Sequence, residues 1–187
     1  MLVWFGIFNM NITYEIEPVF KIDFFKIKCV NFKSKKRKIE KVLKRFPEIP
    51  CSDFYSNRDK ASFTSELGEI FKDEFKLISA RYNSKIILQR AWSVSYGKGH
   101  YHAPHNHSSQ GYAAILYLNM KEDSPKTVYI QPWNNEEDKS VLFAPNVEEG
   151  DIMIVPQFLT HYTEPNKISF KKRIISFDFK LSPLLNR

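Results

Sequence analysis

The sequence is poor in cysteine and glycine, and each shortage excludes a class of site. Its 187 residues include two cysteines and six glycines. Cys29 and Cys51 fit no metal-binding spacing and form no disulfide framework, which predicts a reducing compartment. The chain also lacks a phosphate-binding glycine loop, a Ser–His–Asp ordering and a convincing pair of catalytic carboxylates. No segment has the length of a membrane span, so we expect a cytoplasmic protein that does not bind membranes.

The composition is that of a globular protein with a sheet-rich core. Hydrophobic residues make up 43% of the chain and aromatic residues 15%, with 16 phenylalanines and nine tyrosines. Large aromatic side chains are enriched in β-strands. A chain of this length is typical of one domain with a substantial core.

An excess of positive charge is concentrated in one short range. The net charge is +7, and residues 33–45 hold eight basic residues against one acidic residue, Glu40. Such a patch could bind nucleic acid, an acidic protein or a membrane surface. Ile39, Val42 and Leu43 recur at helical spacing, however, and no aromatic residues interleave the basic ones. This pattern favours a solvated helix face with the three apolar residues turned inward.

The hydrophobic pattern changes from helical to strand-like near residue 85. Before it, an amphipathic helix is predicted from Leu67, Ile70, Phe71, Phe75 and Ile78 on one face. Earlier strand candidates are Ile12 to Ile16 and Val19 to Ile27, followed later by a turn-rich stretch from Pro47 to Lys60. The later strand candidates are Lys85 to Tyr96, Gly111 to Asn119, Thr127 to Gln131, Ser140 to Phe143, Asp151 to Val155 and Arg173 to Leu181. Short strands between turns predict a mainly β sandwich or barrel, with helices packed on one sheet face in an α+β arrangement.

All five histidines lie between positions 100 and 161, which indicates a metal site. His105 and His107 are two residues apart, and alternate residues of an extended strand point the same way. A strand elsewhere in the sheet can supply His161 as a third ligand. Neutral imidazole binds iron, zinc, copper and nickel. The alternative is a histidine-rich surface loop, and His100 and His102 are expected at the mouth of the site after the Gly99 turn.

The motifs around these histidines resemble a known family. Residues 92–118 read WSVSYGKGHYHAPHNHSSQGYAAILYL, an aromatic strand, a glycine turn, Pro-His-x-His and a strand that ends in Tyr-Leu. EGDIMIVP at 149–156, HYTEP at 161–165 and RIISFDF at 173–179 follow in order. Together they resemble the 2-oxoglutarate- and iron(II)-dependent oxygenases, and among them a prolyl-hydroxylase-like group of bacterial and phage proteins.

The resemblance implies a fold and a domain organisation. The expected fold is a double-stranded β-helix, a jelly-roll or cupin-like barrel with helices packed on one sheet. Residues 1–187 would form a single oxygenase domain. Within it, residues 1–84 would supply N-terminal strands and supporting helices, and residues 85–181 the barrel core with the metal site. The motifs cover only this second part.

The resemblance also implies the site residues. His105, His107 and His161 would be the catalytic ligands of Fe(II). Arg173, twelve residues after His161, would bind the far carboxylate of 2-oxoglutarate, a contact that suits a guanidinium fork. Tyr117 would place a hydroxyl near the same carboxylate, although an ordinary core tyrosine is an equal interpretation.

One position departs from most of the superfamily, which binds iron through two histidines and one carboxylate. Here His107 stands where the carboxylate is expected. A three-histidine Fe(II) site with dianionic 2-oxoglutarate would be formally neutral, so binding is not excluded, but metal choice or oxygen reactivity could change. If His107 is not a ligand, His100, His102 or a remote carboxylate such as Asp178 are candidates.

The expected activity is hydroxylation of a substrate C–H bond with 2-oxoglutarate and O2 as co-substrates. A protein or peptide side chain is the favoured substrate, with nucleic acid or a small metabolite left open. Gln131, Trp133 and Asn134 are candidate substrate contacts, whereas Trp92 and Tyr96 are expected in the core. Two other functions remain: a three-histidine cupin-type dioxygenase that does not use 2-oxoglutarate, and a non-catalytic barrel that binds nucleic acid or an acidic partner.

Overall fold

Alternation along the last strand separates two apolar layers of the molecule. The computed structural model describes residues 22–46, 49–50 and 63–183. In the last strand, Ile175, Phe177 and Phe179 belong to one buried cluster, and Ile174 belongs to a second. Successive side chains of a strand point to opposite faces of the sheet. The two clusters therefore lie on the two faces of the sheet that contains this strand.

The described residues form ten strands and three helices. The strands are β1 Phe25–Lys28, β2 Ile49–Pro50, β3 Ser84–Tyr96, β4 His102–His105, β5 Tyr112–Asn119, β6 Thr127–Asn134, β7 Ser140–Phe143, β8 Asp151–Pro156, β9 His161–Thr163 and β10 Lys172–Pro183. The helices are α1 Phe32–Leu43, α2 Thr64–Ile70 and α3 Lys72–Tyr82. The predicted strands from β3 onward are confirmed, and the structure lengthens β6 and β10.

Two sheets and a helix layer make up the architecture. The large sheet has the order β1-β8-β5-β10-β3-β2, and the small sheet has the order β4-β9-β6-β7. Neighbouring strands are antiparallel, except that β2 runs parallel to β3. One apolar cluster joins the large sheet to the helices, and the other fills the space between the sheets. The mainly β barrel with helices on one sheet is therefore confirmed.

The helices bury the predicted apolar faces, but one predicted helix is divided into two. Ile39 and Val42 of α1 are buried against the large sheet, and Leu43 packs beside them. The predicted single amphipathic helix is two helices, because Phe71 leaves helical geometry with φ −104° and ψ 25°. Phe71 is completely buried at this break.

One basic residue of α1 is buried rather than solvated. The Lys35 ammonium lies 2.6 Å from a Glu74 carboxylate oxygen of α3. Glu74 also accepts a hydrogen bond of 2.7 Å from the Val30 backbone N–H. This buried ion pair ties α1 to α3, and the exposed basic residues of α1 lie on its other face.

Some predictions fall outside the described residues. These are the strand from Ile12 to Ile16, the start of the strand from Val19 to Ile27, and most of the turn-rich stretch from Pro47 to Lys60. Within the described ranges, no helix combines the length and apolar character needed to cross a membrane.

Candidate metal and 2-oxoglutarate site

Three histidines converge between the two sheets. His105 of β4 lies directly opposite His161 of β9 in the antiparallel register. His107 follows two residues after β4, where its backbone N–H donates to the Gln157 carbonyl at 3.0 Å. One ring nitrogen from each histidine lies within 4.8 Å of the other two. The structure thus brings together the three predicted ligands, although only His105 and His161 lie on strands.

Hydrogen bonds decide which ring nitrogen each histidine offers. Nδ1 of His105 lies 2.8 Å from the Ala103 carbonyl oxygen, and Nδ1 of His161 lies 3.0 Å from that of Leu159. Nδ1 of His107 lies 2.6 Å from Oδ1 of Asp178. These oxygens are acceptors, so each Nδ1 carries the hydrogen and each Nε2 keeps its lone pair. The arrangement suits a divalent transition metal, whose histidine ligands usually donate their other N–H in this way.

Burial keeps the imidazoles of His105 and His161 neutral. It lowers the pKa of His161 well below its usual range, and the neighbouring histidines lower it further. It also lowers the pKa of His105 to about 4. A metal ligand must be the neutral imidazole. Protons therefore compete little with a metal for these nitrogens near neutral pH.

The other two histidines are placed differently from each other. His102 is buried, and its ring centroid lies 4.0 Å from that of His105. Burial lowers the pKa of His102 to about 3. His100 is exposed, and its backbone carbonyl accepts a hydrogen bond of 2.9 Å from the Asn166 N–H. The expected position at the mouth therefore suits His100, whereas His102 lies in the wall of the site.

A narrow chamber extends from the histidines along the space between the sheets. The residues that line this chamber include the three histidines, Tyr96, Thr127 and Ile174. Its cavity volume is about 20 Å³. Trp92 and Tyr96 are buried in the core between the sheets, as expected, and both also line the chamber.

The ammonium of Lys172 is buried in the same space between the sheets, next to the ring of Tyr96. Its ammonium donates to the Pro125 carbonyl at 2.6 Å and lies 5.3 Å from the ring centroid of Tyr96 and 5.4 Å from that of Tyr117. Within the described residues, no acidic side chain forms an ion pair with it. Burial lowers the pKa of Lys172 to about 7. A buried cation without an anionic partner suits binding of an anionic ligand.

Arg173 lies on the opposite face of the large sheet. Its guanidinium contacts Glu40 of α1 at 3.2 Å and Ser95 at 3.3 Å. Arg173 therefore lies away from the three histidines, whereas the neighbouring Lys172 faces the space between the sheets. Strand alternation in the sequence indicates this placement. Ile175 and Phe177 lie two and four residues after Arg173 and face the helices, so Arg173 is expected on the same side of the strand.

Two tyrosines are buried in the space between the sheets. Tyr117 is fully buried, and burial raises its pKa to about 12. Tyr129 of β6 is also buried, and its hydroxyl has no hydrogen-bond partner among the residues that the structure describes. Its ring lies 5.4 Å from that of His161. Sequence reasoning identified Tyr117 and missed Tyr129, whose pairing opposite His161 depends on sheet register.

The predicted substrate contacts lie on the outer part of β6. Gln131 and Trp133 line an apolar groove of about 350 Å³ together with Phe24 and Phe143. Asn134 donates a hydrogen bond of 2.8 Å to Asp138 in the β6–β7 turn. Tyr129 also lines the groove. It lies on β6, the strand that also carries Thr127 of the chamber.

Fold and site together define a class of protein: a double-stranded β-helix with three histidines clustered between its sheets. Comparison with protein families supports a narrower statement. The family described as "Putative 2OG-Fe(II) oxygenase" matches residues 90–178, which include the three histidines and Lys172. The matched segment is that of a 2-oxoglutarate- and iron(II)-dependent oxygenase, an oxidoreductase with iron(II) and 2-oxoglutarate as cofactors.

Solved structures share the fold at low identity. HygX from Streptomyces hygroscopicus, with nickel and 2-oxoglutarate bound, is 14% identical with a TM-score of 0.58, covering 87% of this chain and 82% of HygX. A Pseudomonas putida prolyl-4-hydroxylase is 10% identical with a TM-score of 0.53, covering 84% and 86%. A Trichoplax adhaerens prolyl hydroxylase in complex with a hypoxia inducible factor peptide is 13% identical with a TM-score of 0.59, covering 84% and 83%. Comparison with curated protein sequences gives no significant match.

Proposed function

We propose that His105, His107 and His161 bind the iron and that Lys172 binds the distal carboxylate of 2-oxoglutarate. The substrate that we propose is a side chain of a protein or peptide. The observation that carries the proposal is the clustering of three histidine ring nitrogens between the two sheets, which also enclose the buried ammonium of Lys172. Each imidazole has its Nδ1 hydrogen bonded elsewhere, so the three Nε2 atoms are available to one metal ion.

Lys172 supports the assignment of the keto-acid site through charge and burial. A carboxylate would give its ammonium the anionic partner that the described residues do not supply, and charge-assisted hydrogen bonds of this kind are strong. The hydroxyls of Tyr117 and Tyr129 are available to donate to the same carboxylate. Because the chamber holds only about 20 Å³, we expect Lys172 and its neighbours to change rotamer when 2-oxoglutarate binds.

Iron and 2-oxoglutarate, when bound, would supply the chemistry by which O2 hydroxylates a substrate C–H bond, with one oxygen atom entering the substrate and the other the succinate formed with CO2 from 2-oxoglutarate. The chain's own residues orient the ligands and exclude water. The carbonyls of Ala103 and Leu159 fix the ring orientations of His105 and His161. The buried side chains of Trp92, Ile115 and Ile174 give the chamber apolar walls.

The substrate class rests on the Trichoplax adhaerens neighbour, whose structure includes a bound peptide. The apolar groove on β6 and β7 is consistent with a side-chain-bearing polymer, because such grooves bind peptides through apolar contacts. The cytoplasmic location and the organisation as one domain over residues 1–187 stay predictions.

The deciding experiment is an anaerobic titration of the metal-free protein with iron(II) and then 2-oxoglutarate. We expect a weak visible metal-to-ligand charge-transfer band, which the H161A variant does not develop. Iron binding without the band would contradict the 2-oxoglutarate site and favour a dioxygenase that does not use this keto-acid. A screen of peptides, with O2 admitted, should then couple succinate formation to a gain of one oxygen atom in the peptide mass.

A further inference from the structure

A buried carboxylate contacts one of the three histidines at the nitrogen that faces away from the metal site. Asp178 of β10 is completely buried, and its Oδ1 accepts the hydrogen bond of 2.6 Å from Nδ1 of His107. Its Oδ2 accepts a hydrogen bond of 2.7 Å from Arg90 of β3, its partner across the two strands. The other two histidines donate to neutral backbone carbonyls. His107 therefore differs from them in having a charged partner.

His107 is also the residue that departs from the usual iron ligands, which are two histidines and one carboxylate. Where two histidines and a carboxylate bind iron, the carboxylate offsets part of the metal charge. An imidazole at this position offsets none by itself. A carboxylate that accepts the Nδ1 hydrogen makes the imidazole a more basic ligand, and such partners tune metal affinity and redox behaviour.

We propose that Asp178, acting through His107, supplies the negative charge that the third ligand lacks, and so strengthens iron(II) binding and lowers the potential of the bound iron. This inference rests on the proposed function, because it assumes that His107 is a ligand. Asp178 is a positioning residue, since it touches neither iron nor 2-oxoglutarate. It also differs from the role that the sequence suggested, because the carboxylate lies behind the ligand rather than on the metal.

Arg90 holds the carboxylate in place without removing its effect. The guanidinium binds Oδ2, which leaves Oδ1 directed at His107. The Arg90 side chain is 24% exposed, whereas that of Asp178 is 0% exposed. Water therefore screens the arginine charge more than the aspartate charge, and the aspartate is the nearer of the two to the imidazole.

The first test replaces the charge and keeps the shape. D178N retains an oxygen that can accept from His107 but removes the negative charge. We expect about 10- to 100-fold weaker iron(II) binding, measured by chelator competition without 2-oxoglutarate. The Fe(III)/Fe(II) potential should rise, and the charge-transfer band with 2-oxoglutarate should move to shorter wavelength, because a less basic ligand makes iron harder to oxidise.

The matched control is E74Q. Glu74 is also a buried carboxylate, 1% exposed and ion paired with Lys35, but it lies in the helix layer on the other side of the large sheet. E74Q should leave iron affinity, potential and band position unchanged. Unchanged values in D178N as well would overturn the inference.

The second test uses a background in which D178N should strengthen iron(II) binding rather than weaken it. In the H107D variant the carboxylate is moved to the metal position, and Asp178 then lies close to a second negative charge. We expect H107D/D178N to bind iron(II) more tightly than H107D, whereas D178N alone weakens binding. Weaker binding from D178N in both backgrounds would reduce Asp178 to a structural role. Native protein that binds no iron would instead contradict the proposed function, so the two failures are distinguishable.

Discussion

Lys172 and Arg173 are adjacent in the chain, yet their side chains lie on opposite faces of the large sheet. The Lys172 ammonium contacts the Pro125 carbonyl between the two sheets, and the Arg173 guanidinium contacts Glu40 on the helix side. Strand geometry forces this separation, because successive side chains point to opposite faces. Adjacent cations of one strand therefore have different environments and different expected roles.

Substitution of these neighbours should separate the two roles. K172M removes the buried cation, and we expect at least about 2 kcal/mol of lost 2-oxoglutarate affinity, roughly 30-fold in Kd. R173M removes a partly exposed ion pair with Glu40, which should change Kd by less than about threefold. Titration of the charge-transfer band measures both values. A large loss in R173M with little change in K172M would return the role to Arg173.

Binding of 2-oxoglutarate should depend on pH through Lys172. Its pKa is lowered to about 7 by burial, so above this pH the free protein holds mainly the neutral amine. Since a carboxylate binds the ammonium, binding must take up a proton above pH 7 and weaken as pH rises, toward about tenfold per pH unit. Calorimetry in two buffers of different ionisation enthalpy measures the uptake. K172M should show none, and equal uptake in this variant would exclude Lys172 as the source.

Metal removal should lower the stability of the protein. A ligand that binds only the folded state stabilises it by about 2.7 kcal/mol at a concentration 100 times its Kd. We therefore expect nickel(II) or iron(II) to raise the thermal unfolding midpoint of metal-free protein and to leave that of H161A unchanged. H100A is the matched control, because His100 is exposed and lies outside the histidine cluster, and its midpoint should rise as in the native protein. A metal-induced rise in H161A would contradict the ligand assignment.

The ion pair between the helices should contribute to stability without affecting the site. E74Q removes the buried partner of the Lys35 ammonium and leaves only its longer contact of 3.5 Å with the exposed Asp73, so we expect a loss of about 3 kcal/mol in the free energy of unfolding. Urea denaturation of the metal-free protein measures the loss. A change below about 0.5 kcal/mol would show that water or another group replaces the carboxylate.

Much of the fold and part of the site could be predicted from local patterns. The strands predicted from residue 85 onward followed alternating or continuous apolar patterns, and the inward face of α1 followed the helical spacing of Ile39 and Val42. The break at Phe71 had no comparable signal, because Phe71 continues the apolar helical pattern. Arg173 was chosen by its distance from His161, whereas strand alternation places its side chain on the helix side and that of Lys172 between the sheets.

The sequence by itself determined which residue types were available: three histidines at ligand spacing, a closing strand with two adjacent cations, and alternation that specifies the faces of each strand. Tertiary structure decided which of these side chains meet. Strand register placed His105 opposite His161. The pairing of β10 with β3 brought Arg90 beside Oδ2 of Asp178, and Oδ1 of the same carboxylate contacts His107. Such contacts join residues far apart in the chain, and no local periodicity encodes them, because they depend on how whole strands align.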